Sequence, residues 1–196
     1  MFKNIFKEVE WKKGGIILIA SFMVGSGLYF FKTISEQPNQ DIKIEYIEKH
    51  INKRVETIKL LQYVDGRIDP ALGSIIAREI DKASKKYFLP PEFIIGLMKK
   101  ESVFNPLARS KVGAIGLMQI LPSAHPEKIK GYSRKQLYHI SVNIDIGCRI
   151  FKEYYDKTKS VSSALKKYVG GNVNNYMIDI YTTFIELSMY TQTIQR

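Results

Sequence analysis

The sequence holds one cysteine, three histidines and no Asp or Glu between positions 102 and 126, and each shortage excludes something. With Cys148 alone, no internal disulfide can form, and cysteine usage assigns no redox compartment. Its neighbours Ile144, Ile146, Ile150 and Phe151 make Cys148 a small core residue rather than a reactive thiol. His50, His125 and His139 share no metal-ligand spacing with one another or with the cysteine, so neither a metal nor a cofactor is expected. No run of clustered basic residues with interleaved aromatics marks a nucleic-acid module, and no nucleic-acid partner is expected. Alternating β-branched segments of strand length, repeats of about 20 to 50 residues and low-complexity tracts are all missing, which leaves an all-α, mostly helical fold.

What is present is 196 residues, 45% of them hydrophobic, enough for one globular domain and an appendage. Thirty Lys and Arg against nineteen Asp and Glu give a net charge of +11, of which +1 falls in residues 1–41 and +10 beyond them. The main domain is basic. On charge alone, nucleic acid, anionic lipid and an anionic cell wall are equally open as polyanionic partners.

Residues 14–31, "GGIILIASFMVGSGLYFF", carry no charge. As a helix they would rise roughly 27 Å, close to the hydrocarbon thickness of a bilayer. Lys12 and Lys13 precede the run and Lys3 and Lys7 lie further upstream, against a single Lys32 after it, so the positive-inside bias puts the N-terminus in the cytoplasm. The absence of an A-x-A-like site favours an uncleaved single transmembrane helix over a signal peptide. The expected division is a cytoplasmic N-terminus (1–13), a transmembrane anchor (14–31), a linker with an amphipathic stalk helix (32–69) and the main domain (70–196). The stalk stripe is Ile44, Ile47, Ile51, Val55 and Ile58; it spans only about two heptads, so it is expected to pack on its own domain rather than in a coiled coil.

From residue 70 the chain reads as helices with short breaks. Asp69 is suited to cap a helix opened by Pro70, with Leu72, Ile76, Ile80 and Ala83 as its apolar stripe. "PPEFIIGLMKKES" repeats the proline device, and the serines opening "SVNIDIGCRIFKEYYDKT" and "SVSSALKKY" are suited to capping. On the helix from about Pro91, Glu101 falls seven, four and three positions after Ile94, Leu97 and Met98, so it shares their apolar phase. Desolvation there disfavours the charged carboxylate and raises the pKa, the state a general acid needs, unless the side chain, being at the helix end, swings out to solvent. The acid-free stretch after it offers no local second carboxylate, against a two-carboxylate glycosidase. Gly113 and Gly116 flank "AI" in a segment read as a turn, after which "GLMQI" reads as a resumed apolar helix whose amide, Gln119, faces a polar ligand.

"ESVFNPLARSKVGAIGLMQILP", residues 101–122, resembles the signature of the lytic transglycosylase domain of the soluble-lytic-transglycosylase type, a relative of goose-type lysozyme. "KKYFLPPEFIIGLMKKES", "NIDIGCRIFKEYYDK" and "ALKKYVGGNVNNY" resemble its other segments, from about Ile75 to Tyr181. The resemblance implies a lysozyme-like, mostly α-helical fold and cleavage of the β-1,4 bond between N-acetylmuramic acid and N-acetylglucosamine in peptidoglycan. It makes Glu101 the catalytic acid and then the base that deprotonates the muramic acid C6 hydroxyl, leaving a 1,6-anhydro end. Ser102, Met118 and Gln119 match cleft positions, and Tyr168 and Tyr176 match tyrosines that orient the glutamate or line the groove. Ser102 also reads as an ordinary helix-end polar residue, and Met118 as core packing. The family pattern has asparagine where this chain has Val169, so a substrate hydrogen bond is either missing or supplied by Asn172.

These readings imply a membrane-anchored transglycosylase whose domain faces the periplasm or wall side, with glycan strands as substrate and envelope-machine partners through the stalk. A hydrolytic muramidase of the same fold, or a catalytically weak scaffold of a secretion, conjugation or phage-entry machine, are the alternatives; the scaffold rests on Val169.

Overall fold

The computed structural model describes residues 19–24, 27–32, 40–171 and 173–194. Residues 1–51 and 52–196 form two compact units. In the first, β1 (Ile19–Val24) and β2 (Gly27–Lys32) pair antiparallel, with Ile19 opposite Lys32 and Val24 opposite Gly27. This corrects the helix expected over residues 14–31 wherever those residues are described. Two glycines within three positions cost a helix about 1 kcal/mol each, while the flanking Ile, Phe, Val and Tyr suit a strand. Among the described residues no helix is long and apolar enough to cross a membrane.

Six α-helices follow: α1 (Gln40–Val64), α2 (Pro70–Tyr87), α3 (Pro91–Ser102), α4 (Ile140–Thr158), α5 (Val161–Val169) and α6 (Asn174–Ile194). The protein is mostly helical. The second unit takes up the C-terminal part of α1, where Leu60 and Leu61 are buried and Thr57 donates to Asp81 Oδ1 of α2 at 2.8 Å. Ile58 packs on the core, while Ile51 and Val55 are 54% and 43% exposed; the side chains of Ile44 and Ile47 lie outside the described ones.

Local chemistry sets the helix ends. Asp69 Oδ1 accepts from the Ala71 and Leu72 N–H groups at 3.0 Å, and Pro70 opens α2. Ser160 accepts from Ser163 N–H and caps α5. The serine expected to cap α4 does not: α4 begins at Ile140, with His139 as its N-cap residue and no side-chain cap.

α3 is the central helix. Phe93, Ile94, Ile95, Gly96, Leu97 and Met98 are buried in succession, as a helix apolar on all sides must be. It packs on α2 and α6, and α4 packs on α2 and α5. Gly96 sets the α3–α6 approach: a Cβ there would stand 3.3 Å from the Ile180 carbonyl oxygen. Cys148 is fully buried, and burial pushes its thiol far up, which agrees with the core reading.

Candidate active site

The last turn of α3 carries Glu101 just past the buried Leu97 and Met98. Its carboxyl is partly buried, and desolvation raises its pKa. Two weaker effects pull the other way, the hydroxyl of Tyr176, which donates to Oε1, and the positive charge of Lys100. No second carboxylate is among the groups acting on it. Tyr176 arrives from the first turn of α6, and burial together with the Glu101 charge holds its phenol protonated as a donor. A carboxyl whose charged form is disfavoured in this way is suited to give up a proton and take one back.

α3 stops abruptly. Val103 and Phe104 both take left-handed backbone, φ 49° and 60°, and the Val103 N–H donates to the Lys99 carbonyl at 3.2 Å. Between Val103 and His139 the only regular helix is a 3-10 turn over Gln136–Tyr138. Ile115 and Ile120 exchange both backbone hydrogen bonds at 2.9 Å and close residues 116–119 into a turn. "GLMQI" is therefore not the resumed helix expected above. Gly116 at φ 76° and Gln119 at φ 45° put left-handed backbone at both ends of the turn, which no α-helix accommodates.

Asn143 anchors this turn. Fully buried on α4, it donates through Nδ2 to the Ile115 carbonyl at 2.9 Å and the Leu137 carbonyl at 2.7 Å, and its Oδ1 accepts from the Met118 N–H at 2.7 Å. All three polar positions of its amide are used, as burial demands. Gly116 has to be glycine here, since a Cβ would lie 2.3 Å from Asn143 Nδ2. One turn along α4, Gly147 leaves room for Met118, whose Cβ would stand 2.5 Å from a Cβ at 147.

The sequence-predicted residues divide into two groups. Glu101 and Tyr176 are joined directly, and Tyr168 donates to the Met118 carbonyl at 2.8 Å. Burial and the Glu101 charge push the Tyr168 phenol well up. Gln119 is partly buried, and its Nε2 donates to the Gly116 carbonyl at 3.0 Å. Ser102 and Met118 are not cleft-facing side chains, which corrects the expectation that they bind substrate. The Ser102 hydroxyl is buried against the carbonyls of Leu117 at 2.9 Å and Met98 at 3.2 Å, and the Met118 side chain is fully buried. Both take the second reading given for them above, helix-end polar residue and core packing. Asn172 lies outside the described residues.

Beside this cluster a pocket is lined by Gln119, Leu121, His125, Tyr154, Tyr168 and Val169, among others. Burial lowers the His125 pKa, so the imidazole favours its neutral form. Sequence reading missed His125, Tyr154 and Asn143 as site residues; Asn143 was visible only as the first residue of the family-like "NIDIG" segment. The groove lined by Phe88, Phe93, Phe151, Tyr155, Tyr181 and Phe184 is more apolar but has no carboxylate or imidazole in its lining, so it offers no comparable acid–base chemistry. Among the described residues, no group of three or more His, Cys, Asp or Glu side chains is arranged to hold a metal.

The chain is similar to the membrane-bound lytic murein transglycosylase C of Actinobacillus pleuropneumoniae, 37% identical over 103 residues that cover 49% of this chain and 28% of that protein. It is also similar to the transglycosylase of Enterobacteria phage PRD1, 36% identical over 92 residues, 47% of this chain and 33% of that protein. It thus spans about a third or less of these two relatives' length. Among solved structures, the 70 kDa soluble lytic transglycosylase of Escherichia coli matches with a TM-score of 0.45 and 21% identity over 74% of this chain and 26% of that one. An inactive mutant of Slt from Pseudomonas aeruginosa matches with a TM-score of 0.41 and 26% identity over 50% of this chain and 20% of that one. The family model described as Transglycosylase SLT domain matches residues 78–177, a stretch that takes in Glu101, the anchored turn, Tyr168 and Tyr176 and amounts to just over half of the chain. By that match the chain belongs to the Transglycosylase SLT domain family.

Proposed function

We propose that this protein is a peptidoglycan lytic transglycosylase in which Glu101 is the only catalytic carboxyl. The observation that carries the reading is the Glu101–Tyr176 pair: a desolvated carboxyl with its pKa raised, held by a phenol on Oε1, with no second carboxylate acting on it. Tyr176 occupies Oε1 as a donor, so the acidic proton resides on Oε2 and is the one given to the glycosidic oxygen. The oxocarbenium-like charge then falls to the substrate's own 2-acetamido group. Glu101, now ionised, takes the proton of the muramic acid C6 hydroxyl, and the 1,6-anhydro ring closes without consuming water. Glycan strands are the substrate, and Gln119, Tyr168 and the pocket containing His125 and Val169 are the groups offered to them. Asn172, expected to replace the family's asparagine, belongs to the same proposal.

The domain division and localisation belong to this reading too, with residues 14–31 attaching the protein to the cytoplasmic membrane and the catalytic domain outside it. Support comes from the uncharged run, the lysines before it and the membrane-bound name of the Actinobacillus relative. A lone two-stranded ribbon leaves its edges unpaired and cannot cross hydrocarbon, so attachment through this run requires the β1–β2 pair to give way to helix on insertion. In intact spheroplasts an N-terminal tag then resists external protease while the domain is digested; loss of the tag sinks the orientation. Partners in an envelope-spanning machine are assigned to α1, where Ile51 and Val55 stay exposed.

The test of activity is incubation of the full chain and its Glu101→Gln variant with purified sacculi, followed by mass spectrometry of the released sugars. Anhydromuropeptides from the wild type alone are expected. Reducing ends in their place make the protein a hydrolase. Binding without release from either protein makes it a scaffold.

A further inference from the structure

Two side chains grip one peptide unit beside the acid. The carbonyl of Leu117 accepts from the Ser102 hydroxyl at 2.9 Å, and the N–H of Met118, the other end of that planar unit, donates to Asn143 Oδ1 at 2.7 Å. Ser102 is the residue after Glu101 and the last of α3, and Asn143 stands in the first turn of α4. The next peptide unit begins with the Met118 carbonyl, which accepts from Tyr168 of α5. Three helices thus meet on two consecutive peptide units that contain no catalytic side chain.

Each grip is costly to break. Ser102 and Asn143 are buried, and a buried carbonyl or N–H left without its partner costs about 1–3 kcal/mol. The alternative acceptor for Ser102, the Met98 carbonyl one turn back in its own helix, is longer at 3.2 Å, so the bond across to the turn is the better one. The segment has little slack, because Gly116 and Gly147 place α4 against it at distances no Cβ tolerates.

We propose that the Leu117–Met118 peptide unit is a buckle that sets the position of Glu101 relative to Tyr168, and that Ser102 and Asn143 are positioning residues acting through it. The proposal rests on Glu101 being the acid. It explains why serine follows the glutamate although its hydroxyl faces the interior, and why two of the three hydrogen bonds of the buried amide on α4 go to this turn. Ser102 and Tyr168 bond consecutive carbonyls, so freeing either one loosens the same segment, and freeing the second adds little.

The experiment is a double-mutant cycle in the full chain, Ser102→Ala and Tyr168→Phe singly and together, assayed on soluble glycan strands well below every variant's Tm. Each single variant loses kcat by roughly 10- to 100-fold with little change in KM. The double variant loses little more than the worse single, and Ser102→Thr, which keeps the hydroxyl, recovers most of the loss. Multiplicative losses, or failure of Thr where Ala and Thr have equal Tm, overturn the buckle. Asn143→Ala strips three backbone partners at once and is liable not to fold, so the cycle avoids it. A wild type that releases no sugar refutes the function rather than the buckle. The buckle is then judged by carbon NMR of the Glu101 carboxyl, whose titration midpoint moves in Ser102→Ala and returns in Ser102→Thr. An unmoved midpoint overturns it.

Discussion

The two regions that flank Glu101 are built by opposite means. α3 raises the acid's pKa with an uninterrupted apolar helix, buried from Phe93 to Met98, which supplies desolvation and no polar side-chain partner. The segment after it has almost no regular structure and is held by side chains bonding backbone: Ser102 and Asn143 on 117–118, Tyr168 on Met118, Gln119 on Gly116. On the proposed function, helix burial tunes the proton, and side-chain-to-backbone bonds fix where it is delivered. Failures of the two regions should therefore look different, one in pH dependence and the other in rate and packing.

The largest effect belongs to the acid itself. Glu101→Gln removes proton transfer, worth about 10²- to 10⁴-fold, yet it should stabilise the fold. In the folded state the Glu101 pKa is raised above its unfolded value, so the native protein holds the proton more tightly. Stability is then lost as pH climbs from the ordinary carboxylate pKa to the raised one. Gln carries no such loss and can still accept from Tyr176. Melting curves across pH should show the variant higher on the alkaline side of that window, with the gap closing in acid. A constant gap, or none, contradicts the desolvation account.

Next comes the packing of the turn. In Gly147→Ala the new methyl meets Met118 Cβ at 2.5 Å, an atom fixed by its own backbone. Overpacking of this kind costs about 1–3 kcal/mol, and the displaced Met118 should take activity down with it. Gly171→Ala, with nothing within 4 Å, is the control and should stay within about 0.5 kcal/mol of wild type. Equal Tm values for the two variants would remove the close-approach argument.

Tyr176→Phe separates delivery from tuning. A hydrogen bond to a charged carboxylate is worth about 1.5–3 kcal/mol, so activity should fall roughly tenfold or more. Because that bond lowers the Glu101 pKa, its loss should move the alkaline limb of the rate profile to higher pH. A shift to lower pH reverses the assigned sign.

What the sequence made legible follows the same division. The Asp69 cap, the prolines opening α2 and α3, the Ser160 cap and the phase of Glu101 were readable because each depends on residues within one or two turns. "GLMQI" misled because its composition is helical, while its conformation is decided by Gly116, Gln119 and an asparagine 25 residues downstream of Met118. The signature assigns Ser102 and Met118 to the cleft, and only packing shows that both side chains are buried. Hydropathy, which carries the reading of 14–31, is blind to the helix-weakening glycines of its Gly-Ser-Gly segment. Ile51 and Val55 fit the stalk periodicity, but periodicity does not say how far the domain reaches along a helix.

The smallest effect is expected where the two regions join. Val103 is β-branched, 59% exposed and at φ 49°, a conformation that costs an L-residue about 1–2 kcal/mol and a branched one more readily than most. It persists where the chain reverses over Val103 and Phe104, so that Ser102 ends the helix facing Leu117 while Phe104 turns back into the core. Asparagine tolerates left-handed backbone without the unfolded-state entropy that glycine adds. Val103→Asn should therefore raise stability by about 0.5–1 kcal/mol and leave the Glu101 pH profile in place, since the reversal itself is kept. A gain in Tm accompanied by a fall in kcat would mean that the strain is used by the site, and that α3 and the segment after it are mechanically coupled through Val103 as well as through Ser102.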